Sequence, residues 1–461
     1  MSKQTNRSMV TVGLLAALFI GALDSTVVST ASPRIIDSLG GLSLISWIFS
    51  VYTLTTCIAT PIFGKLGDLY GRRLVFAIGL GLFVLGSVLC GFAGSMTELI
   101  WFRALQGIGA GALTPVTFTI VGDLYPGKER AKVQGIFSSV WSIAGLFGPL
   151  VGGYFVDYIS WRWIFFINLP VGIIAVLFIF IYYHESFEKQ NKSIDYAGAI
   201  TFTIGMTSLL LALLTGGEEY AWNSPVILIM FAITVVFLGL FLWIENRAAE
   251  PMLPLSLFRN PVLSIPYILG FTTRWMVMGV TVYCALWMQD VSGSSATLAG
   301  LAIMPMSIAW PIASTLAGRW MYRIGAKWLI VFGSVLVVAG SLLVAIMQAG
   351  STYGLIVGSL ILIGFGMGCI VTPSMVTIQG AVDFRMRSVA TSTNTLMNSL
   401  GQTVSVAVFG LVFNSIVTAD TPVQIASGIH GVFVLMLAVA ALNLLVALFL
   451  PPSSKLLHNH Q

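Results

Sequence analysis

The sequence predicts an all-α membrane protein that crosses the bilayer fourteen times, and three observations predict it. Of 461 residues, 57% are apolar and only 8% are charged, with a mean hydropathy of +0.95, whereas soluble domains run at about 45–50% apolar and about 25% charged. Apolar runs long enough to cross a hydrocarbon core of about 30 Å, which takes about 20 residues per helix, recur along the whole chain. The basic residues concentrate in every second gap between those runs. This composition excludes an ordinary soluble enzyme, a disordered chain and a nucleic-acid binder, and fourteen crossings leave only short loops between them.

In chain order the spans fall near 9–32, 44–64, 74–94, 97–121, 132–155, 164–183, 194–215, 225–244, 262–288, 296–317, 327–347, 353–377, 388–414 and 430–450. Each is an apolar stretch bounded by charge or turn residues. The first begins like a secretion signal, with Lys3 and Arg7 before apolar Met9–Leu23. It runs on to about Ser32 and carries Asp24, so it reads as an uncleaved span. With the N-terminus inside, eighteen of the 22 Lys and Arg residues fall in inner segments; only Arg34 and Arg162 lie outside, while Arg103 and Arg274 lie within spans. That asymmetry places both termini in the cytoplasm. Cys57, Cys90, Cys284 and Cys369 stand singly in apolar runs, without metal-ligand spacing, and read as packing residues.

An internal repeat follows the second and tenth spans. Gly64-Lys65-Leu66-Gly67-Asp68-Leu69-Tyr70-Gly71-Arg72-Arg73 and Gly318-Arg319-Trp320-Met321-Tyr322-Arg323-Ile324-Gly325-Ala326-Lys327 both place two glycines seven apart and end in basic residues. Duplicated halves are typical of secondary transporters. The repeat is offset by eight spans, so two six-span halves must be separated by an extra pair at about 194–244. The expected division is 1–185 for the first six-helix bundle, 186–250 for two additional helices and 251–461 for the second bundle. The polar stretch His184–Lys192 and the Pro-containing stretch Glu250–Pro261 border the insert.

Five motifs in order resemble the fourteen-span drug:proton antiporters of the major facilitator superfamily. They are the Gly64–Arg73 segment; Leu99-x-x-x-Arg103-x-x-Gln106-Gly107-x-Gly109; Gly148-Pro149-x-x-Gly152-Gly153; Leu23-Asp24-Ser25-Thr26-Val27 through Pro33; and Trp161-Arg162-Trp163-Ile164-Phe165-Phe166-Ile167-Asn168-x-Pro170. The resemblance covers essentially the whole chain. It implies a major facilitator fold that exports small amphipathic molecules from the cytoplasm in exchange for protons. The implied protein is a monomer in a bacterial plasma membrane, free of cofactors. Ser29, Ser32, Ala144 and Tyr322 depart from the family pattern, and Tyr322, in place of an acid, leaves the second copy of the cytoplasmic motif one-sided.

Of the seventeen acids, only Asp24 falls well inside a span. An ionised carboxylate in hydrocarbon is costly, so an intramembrane acid points to function. Asp24 lies about 12 Å, and Arg103 about 9 Å, below the outer ends of their spans, at about 1.5 Å per residue, so the two reach similar depth. Helices one and four are neighbours in the family's fold, which lets them meet. Asp24 is the expected proton carrier, because a dry setting favours the protonated acid and a guanidinium the ionised one; a permanent ion pair with Arg103 is the alternative. Arg274 sits near mid-span, where it either faces a water-filled cavity, binding an anionic group or pairing with Asp24, or bonds to carbonyls.

Asp68, Arg72 and Arg73, with Gly64 and Gly71, form the expected gate at the inner end of the second span. Gly148, Pro149, Gly152 and Gly153 in the fifth permit close approach and bending. A drug site needs apolar surface and a few polar anchors. The candidates are Tyr52, Gln106, Trp141, Arg274, Trp275, Met278, Tyr283, Met304, Trp310, Asn394, Asn398 and Gln402. No GxxxxGK[ST] phosphate loop, metal cluster or nucleophile triad occurs, so a proton gradient rather than ATP is the expected energy source, and no catalysis is expected. A dedicated exporter of one metabolite, siderophore or tetracycline-like drug and, behind it, a transporter-like sensor are the alternatives.

Overall fold

The computed structural model describes residues 5–41, 44–185, 195–217, 219–248, 250–294, 296–348, 352–417 and 421–452. Among them, fourteen helices are long and apolar enough to cross a membrane. We number them α1 (Arg7–Leu39), α2 (Ile45–Tyr70), α3 (Arg72–Phe92), α4 (Met96–Leu124), α5 (Gly127–Tyr158), α6 (Trp163–Tyr182) and α7 (Tyr196–Thr215). They continue as α8 (Pro225–Glu245), α9 (Pro261–Val291), α10 (Ala296–Ile324), α11 (Ala326–Ala345), α12 (Tyr353–Gly380), α13 (Arg387–Ile416) and α14 (Pro422–Leu448).

Every span expected from hydropathy corresponds to one helix, but several helices run further. The first starts where the Asn6 side chain accepts from the Met9 amide and ends at Gly40, whose φ of 69° breaks the spiral. It therefore extends seven residues past Ser32. Hydropathy marks the hydrocarbon slab, whereas caps and left-handed glycines mark the helix ends. The ninth span contains two wide turns, Gly279–Cys284 and Trp287–Val291, that pattern reading does not reveal. Most of the polar stretch before α7, residues 186–194, lies outside the described residues, as do Lys3 and the side chain of Pro149.

The internal repeat has a backbone counterpart. Gly71 (φ 91°, ψ 146°) and Gly325 (φ 92°, ψ 145°) adopt one conformation at the α2–α3 and α10–α11 turns, in a region that residues with a Cβ rarely enter. One core gathers residues from Val10 to Tyr183 together with Met375 of α12; a second gathers residues from Ile265 to Leu450. The helices α7 and α8 pack on each other and do not join either core. Phe202, Met206 and Leu210 of α7 and Phe241 of α8, with Met252 and Leu253 of the following strap, cluster with Leu54, Cys57 and Ile58 of α2 and Leu396 of α13. The hairpin thus covers the seam where α2 meets α13. All four cysteines are free and buried.

At the opposite seam α5 packs against α10, and there the fit at one end is tight. A Cβ on Gly318 would lie 2.5 Å from the Ala131 carbonyl oxygen, and one on Gly135 would lie 2.9 Å from the Thr315 Cα. Further along, the two helices part into an apolar groove of about 500 Å³ lined by Ile143, Met304, Ile308 and Ile312.

Candidate functional site

Three side chains of α1 and α4 close a polar knot inside the first bundle. The Asp24 Oδ2 accepts from Arg103 Nη1 at 2.5 Å and its Oδ1 from Gln106 Nε2 at 2.8 Å; Arg103 Nη1 also donates to Gln106 Oε1 at 2.8 Å. Arg103 and Gln106 are one turn apart on α4 and so present one face to α1. The guanidinium lies 4.1 Å from the centre of the Tyr52 ring, which supplies a cation–π contact. Asp24, Arg103 and Gln106 are 2%, 1% and 0% exposed. Arg103 Nε reaches the Ile48 carbonyl at 3.4 Å, and none of the three side chains leaves a fully buried nitrogen or oxygen without a hydrogen-bond partner, the condition under which a buried ion pair is tolerated.

Next to the knot lies a cavity of about 380 Å³ between the bundles. Arg103 and Tyr52 form part of its wall, as do Gly21 and Ser25 on either side of Asp24 along α1. The carboxylate itself stands one layer behind. Trp141 of α5 and Phe49 of α2 add aromatic surface, and the second bundle contributes Arg274, Asn398 and Gln402. Arg274 Nε donates to Asn398 Oδ1 at 3.0 Å. Of the two partners that the sequence leaves open for Asp24, the structure selects Arg103.

Seven of the twelve expected cavity residues do not line it, and one of them, Gln106, is wholly buried in the knot. Trp275 follows Arg274 by one residue and so turns by about 100° on a helix, packing against Phe271 and Phe409; Tyr283 packs on Phe409 and Phe413. Met278 and Trp310 rest against the second core. Met304 lines the α5–α10 groove rather than the cavity. Asn394 is buried beside Gly270, and its carbonyl accepts from Asn398 Nδ2 at 2.7 Å. Composition identifies an aromatic or amide but not the side of the helix it occupies.

At the end of the molecule that holds Asp68, charged groups tie the bundles together. Asp68 accepts from the Ser388 and Val389 amides at 3.3 and 2.9 Å and from Arg72 Nη2 at 2.9 Å. It therefore caps the N-terminus of α13, where the helix dipole favours an anion. Arg72 also donates to the Phe384 carbonyl at 2.6 Å and lies within 3.5 Å of Asp123 and Glu185. Arg387 bonds to Asp123 and to the Gly122 carbonyl, closing a ring through both bundles. Deeper in the seam, Gln134 donates to Gln379 Oε1, and Gln379 donates to the Phe118 carbonyl. Arg73 departs from expectation: only its backbone amide joins the cluster, donating to Glu185, while its guanidinium lies over the Phe180 ring and donates to the Phe180 carbonyl.

Asp123, Glu185, Arg387, Gln134 and Gln379 are absent from the sequence-based site. One signal for Asp123 was available: Gly-Asp-Leu-Tyr ends both α2 (Gly67–Tyr70) and α4 (Gly122–Tyr125). Tyr322, which stands where the first copy has Asp68, donates to the Gly127 carbonyl, a single neutral contact. Among the glycines, Gly148 lies against Thr26 and Gly152 against Val27 and Thr30, bringing α5 close to α1, whereas Gly153 faces open space and contributes no close approach.

Gly64 meets the second bundle most tightly. A Cβ there would fall 2.0 Å from Ser392 Oγ. Gly64→Ala is expected to destabilise the closed end by about 1–3 kcal/mol, as overpacking does, and Ser392→Gly in the same chain to restore it. The thermal midpoint of the detergent-purified protein measures both; equal midpoints for wild type and Gly64→Ala would contradict this packing.

Residues 14–406 match the family model described as Major Facilitator Superfamily. The chain is 39% identical over 413 residues to the multidrug transporter protein MdtP of Bacillus subtilis, covering 90% of this chain and 76% of that one. It is 36% identical over 417 residues to multidrug resistance protein 3 of the same organism, covering 90% and 81%. The solved structure of the human organic anion transporter MFSD10 superimposes with a TM-score of 0.70 over 96% of this chain and 100% of that one; at 15% identity the likeness speaks to the fold alone.

Proposed function

The chain belongs to the major facilitator superfamily, and on that premise we propose that it exports small amphipathic compounds from the cytoplasm across a bacterial plasma membrane in exchange for protons. Relatives named as multidrug transporters support the export reading. The positive-inside asymmetry supports a cytoplasmic placement of both termini and of the Asp68 end. Under that orientation the bundles are latched on the cytoplasmic side, and the arrangement corresponds to a state facing outward. Asp68, Arg72, Gly64 and Gly71 act as the gate that must part for the inward state, with Asp123, Arg387 and Glu185 as added members.

The observation that carries the coupling reading is the knot at Asp24. Its carboxylate is the charge partner of Arg103, and Arg103 lies against the Tyr52 ring in the wall of the cavity. Protonation of Asp24 would remove the charge that holds Arg103, so a proton and a substrate can each alter the same wall. Two bundles rocking about that midplane cavity would carry substrate and proton in opposite directions.

Cells that express the chain should keep at least one of a panel of neutral, zwitterionic and anionic amphipathic dyes below its level in control cells, and a protonophore should remove that difference. Accumulation that is equal with and without the chain across the whole panel would reject export. Export that persists after the proton gradient collapses would reject proton coupling.

A further inference from the structure

We infer that the cavity selects anionic or zwitterionic aromatic compounds, and that Arg274 with the facing side of α13 is the subsite that holds their acidic group. The inference rests on the proposal that this cavity is where substrate binds, and it names the chemistry of that substrate. Its basis is the distribution of charge around the wall. Two arginines line the cavity and no Asp or Glu does. The charge of Arg103 is matched by Asp24 behind it. Arg274 bonds through Nε to the neutral Asn398 Oδ1, and among the described residues no carboxylate lies within ion-pair distance of it. The cavity therefore carries one positive charge without a counter-ion.

The neighbours of Arg274 fit an anion. Thr395, Asn398, Ser399 and Gln402 all line the cavity, and their spacing of three, four and seven residues puts them on one face of α13. A hydroxyl, an amide and a guanidinium on facing helices can share the oxygens of one carboxylate or sulfonate, and arginine suits such planar groups. Across the cavity, Phe49, Tyr52 and Trp141 of the first bundle offer aromatic surface. The wall from the second bundle is polar and carries the unmatched charge, whereas the wall from the first sets three aromatic rings among hydroxyls and the charge-matched Arg103, so the complementary ligand has a flat apolar body with an acid at one end. A permanent cation would have to sit beside Arg274 without any acid in the wall to receive it.

The test uses the full chain in nanodiscs and three probes with one ring system: 2-naphthoate, 2-naphthamide and 2-naphthyl-trimethylammonium. Binding is measured by calorimetry for wild type and for the variants Arg274→Gln, Arg274→Lys and Asn398→Asp. We expect wild type to prefer the carboxylate over the amide by at least tenfold and over the cation by more. Arg274→Gln should remove the preference for the acid while leaving the amide within twofold, and Arg274→Lys should keep part of it. Asn398→Asp, which retains Arg274 and supplies it with a counter-ion, should likewise cancel the preference for the acid over the amide. Equal loss for all three probes in Arg274→Gln, or an acid preference that persists in Asn398→Asp, would overturn it, as would a wild type that binds the cation best. These measurements need no gradient. Failure of export or of proton coupling therefore shows in the cell assay, and failure of charge selection shows here.

Discussion

Asp24→Asn should lower gradient-driven export by at least a hundredfold while leaving passive exchange of substrate across the membrane within a few-fold of wild type. The variant keeps the shape of the side chain and a hydrogen-bonding oxygen but can neither take up a proton nor balance Arg103. Removing one member of a buried ion pair costs about 3–5 kcal/mol, and every 1.4 kcal/mol is a factor of ten, so the coupled cycle loses well over two orders of magnitude if that pair must form and break. Part of this cost falls on folding. The variant Asp24→Asn with Arg103→Gln removes the unpaired charge, and it should recover thermal stability without recovering uphill transport. Asp24→Glu, which retains the acid, should keep partial activity. The measurements are substrate flux in proteoliposomes with an imposed pH gradient, and counterflow without one. Uphill export that survives in Asp24→Asn would reduce the knot to a clasp between α1 and α4.

The second large effect is expected at the other end of the molecule. Asp68→Asn should shift the equilibrium toward a cytoplasm-open state and cut export by tenfold or more. The carboxylate serves two amides of α13 and one guanidinium from the other side of the turn; the amide that replaces it can accept fewer of these bonds and carries no charge for the helix dipole. Hydrogen bonds to charged groups are worth roughly 1.5–3 kcal/mol each, so losing their ionic part is enough to reverse a two-state balance of a few kcal/mol. Ser392, packed on Gly64 and fully buried, reports the change. A cysteine introduced by Ser392→Cys should react slowly with a membrane-impermeant thiol reagent applied from the cytoplasmic side, and at least tenfold faster once Asp68→Asn is added. Labelling that stays equally slow would show that the cluster does not hold this end shut.

The sequence made the helices legible because a bilayer imposes one stringent rule: each crossing must be long, apolar and internally hydrogen-bonded. It made Asp24 and Arg103 legible for the same reason, since a charge inside hydrocarbon stands out and needs a partner at its own depth. Their meeting was still inferred from the family's helix order, because depth alone does not say which helices touch. The cavity wall was only partly readable. Tyr52, Trp141, Arg274, Asn398 and Gln402 line it, but Trp275 and Asn394, each within a turn of a lining residue, point into packed protein. Side-chain direction is a matter of 100° per residue, and a helix with polar and aromatic residues on several faces does not announce which one faces its partner. Asp123, Glu185 and Arg387 were hidden for a different reason: near span ends, a charge looks solvated, and only the fold brings these three around Arg72.

The hairpin of α7 and α8 makes the two flanks of the molecule unlike. On one flank the line between the bundles is sheathed by Phe202, Met206 and Leu210; on the other, Ile308 and Ile312 are half exposed and the line is bare. Fatty chains are as apolar as the leucines beside them, so they wet the bare flank at little cost, and the neighbouring leaflet becomes part of the chamber's outer casing there. The sheathed flank keeps the same casing in any membrane. Changes in acyl length or branching therefore reach the line between the bundles from one flank only.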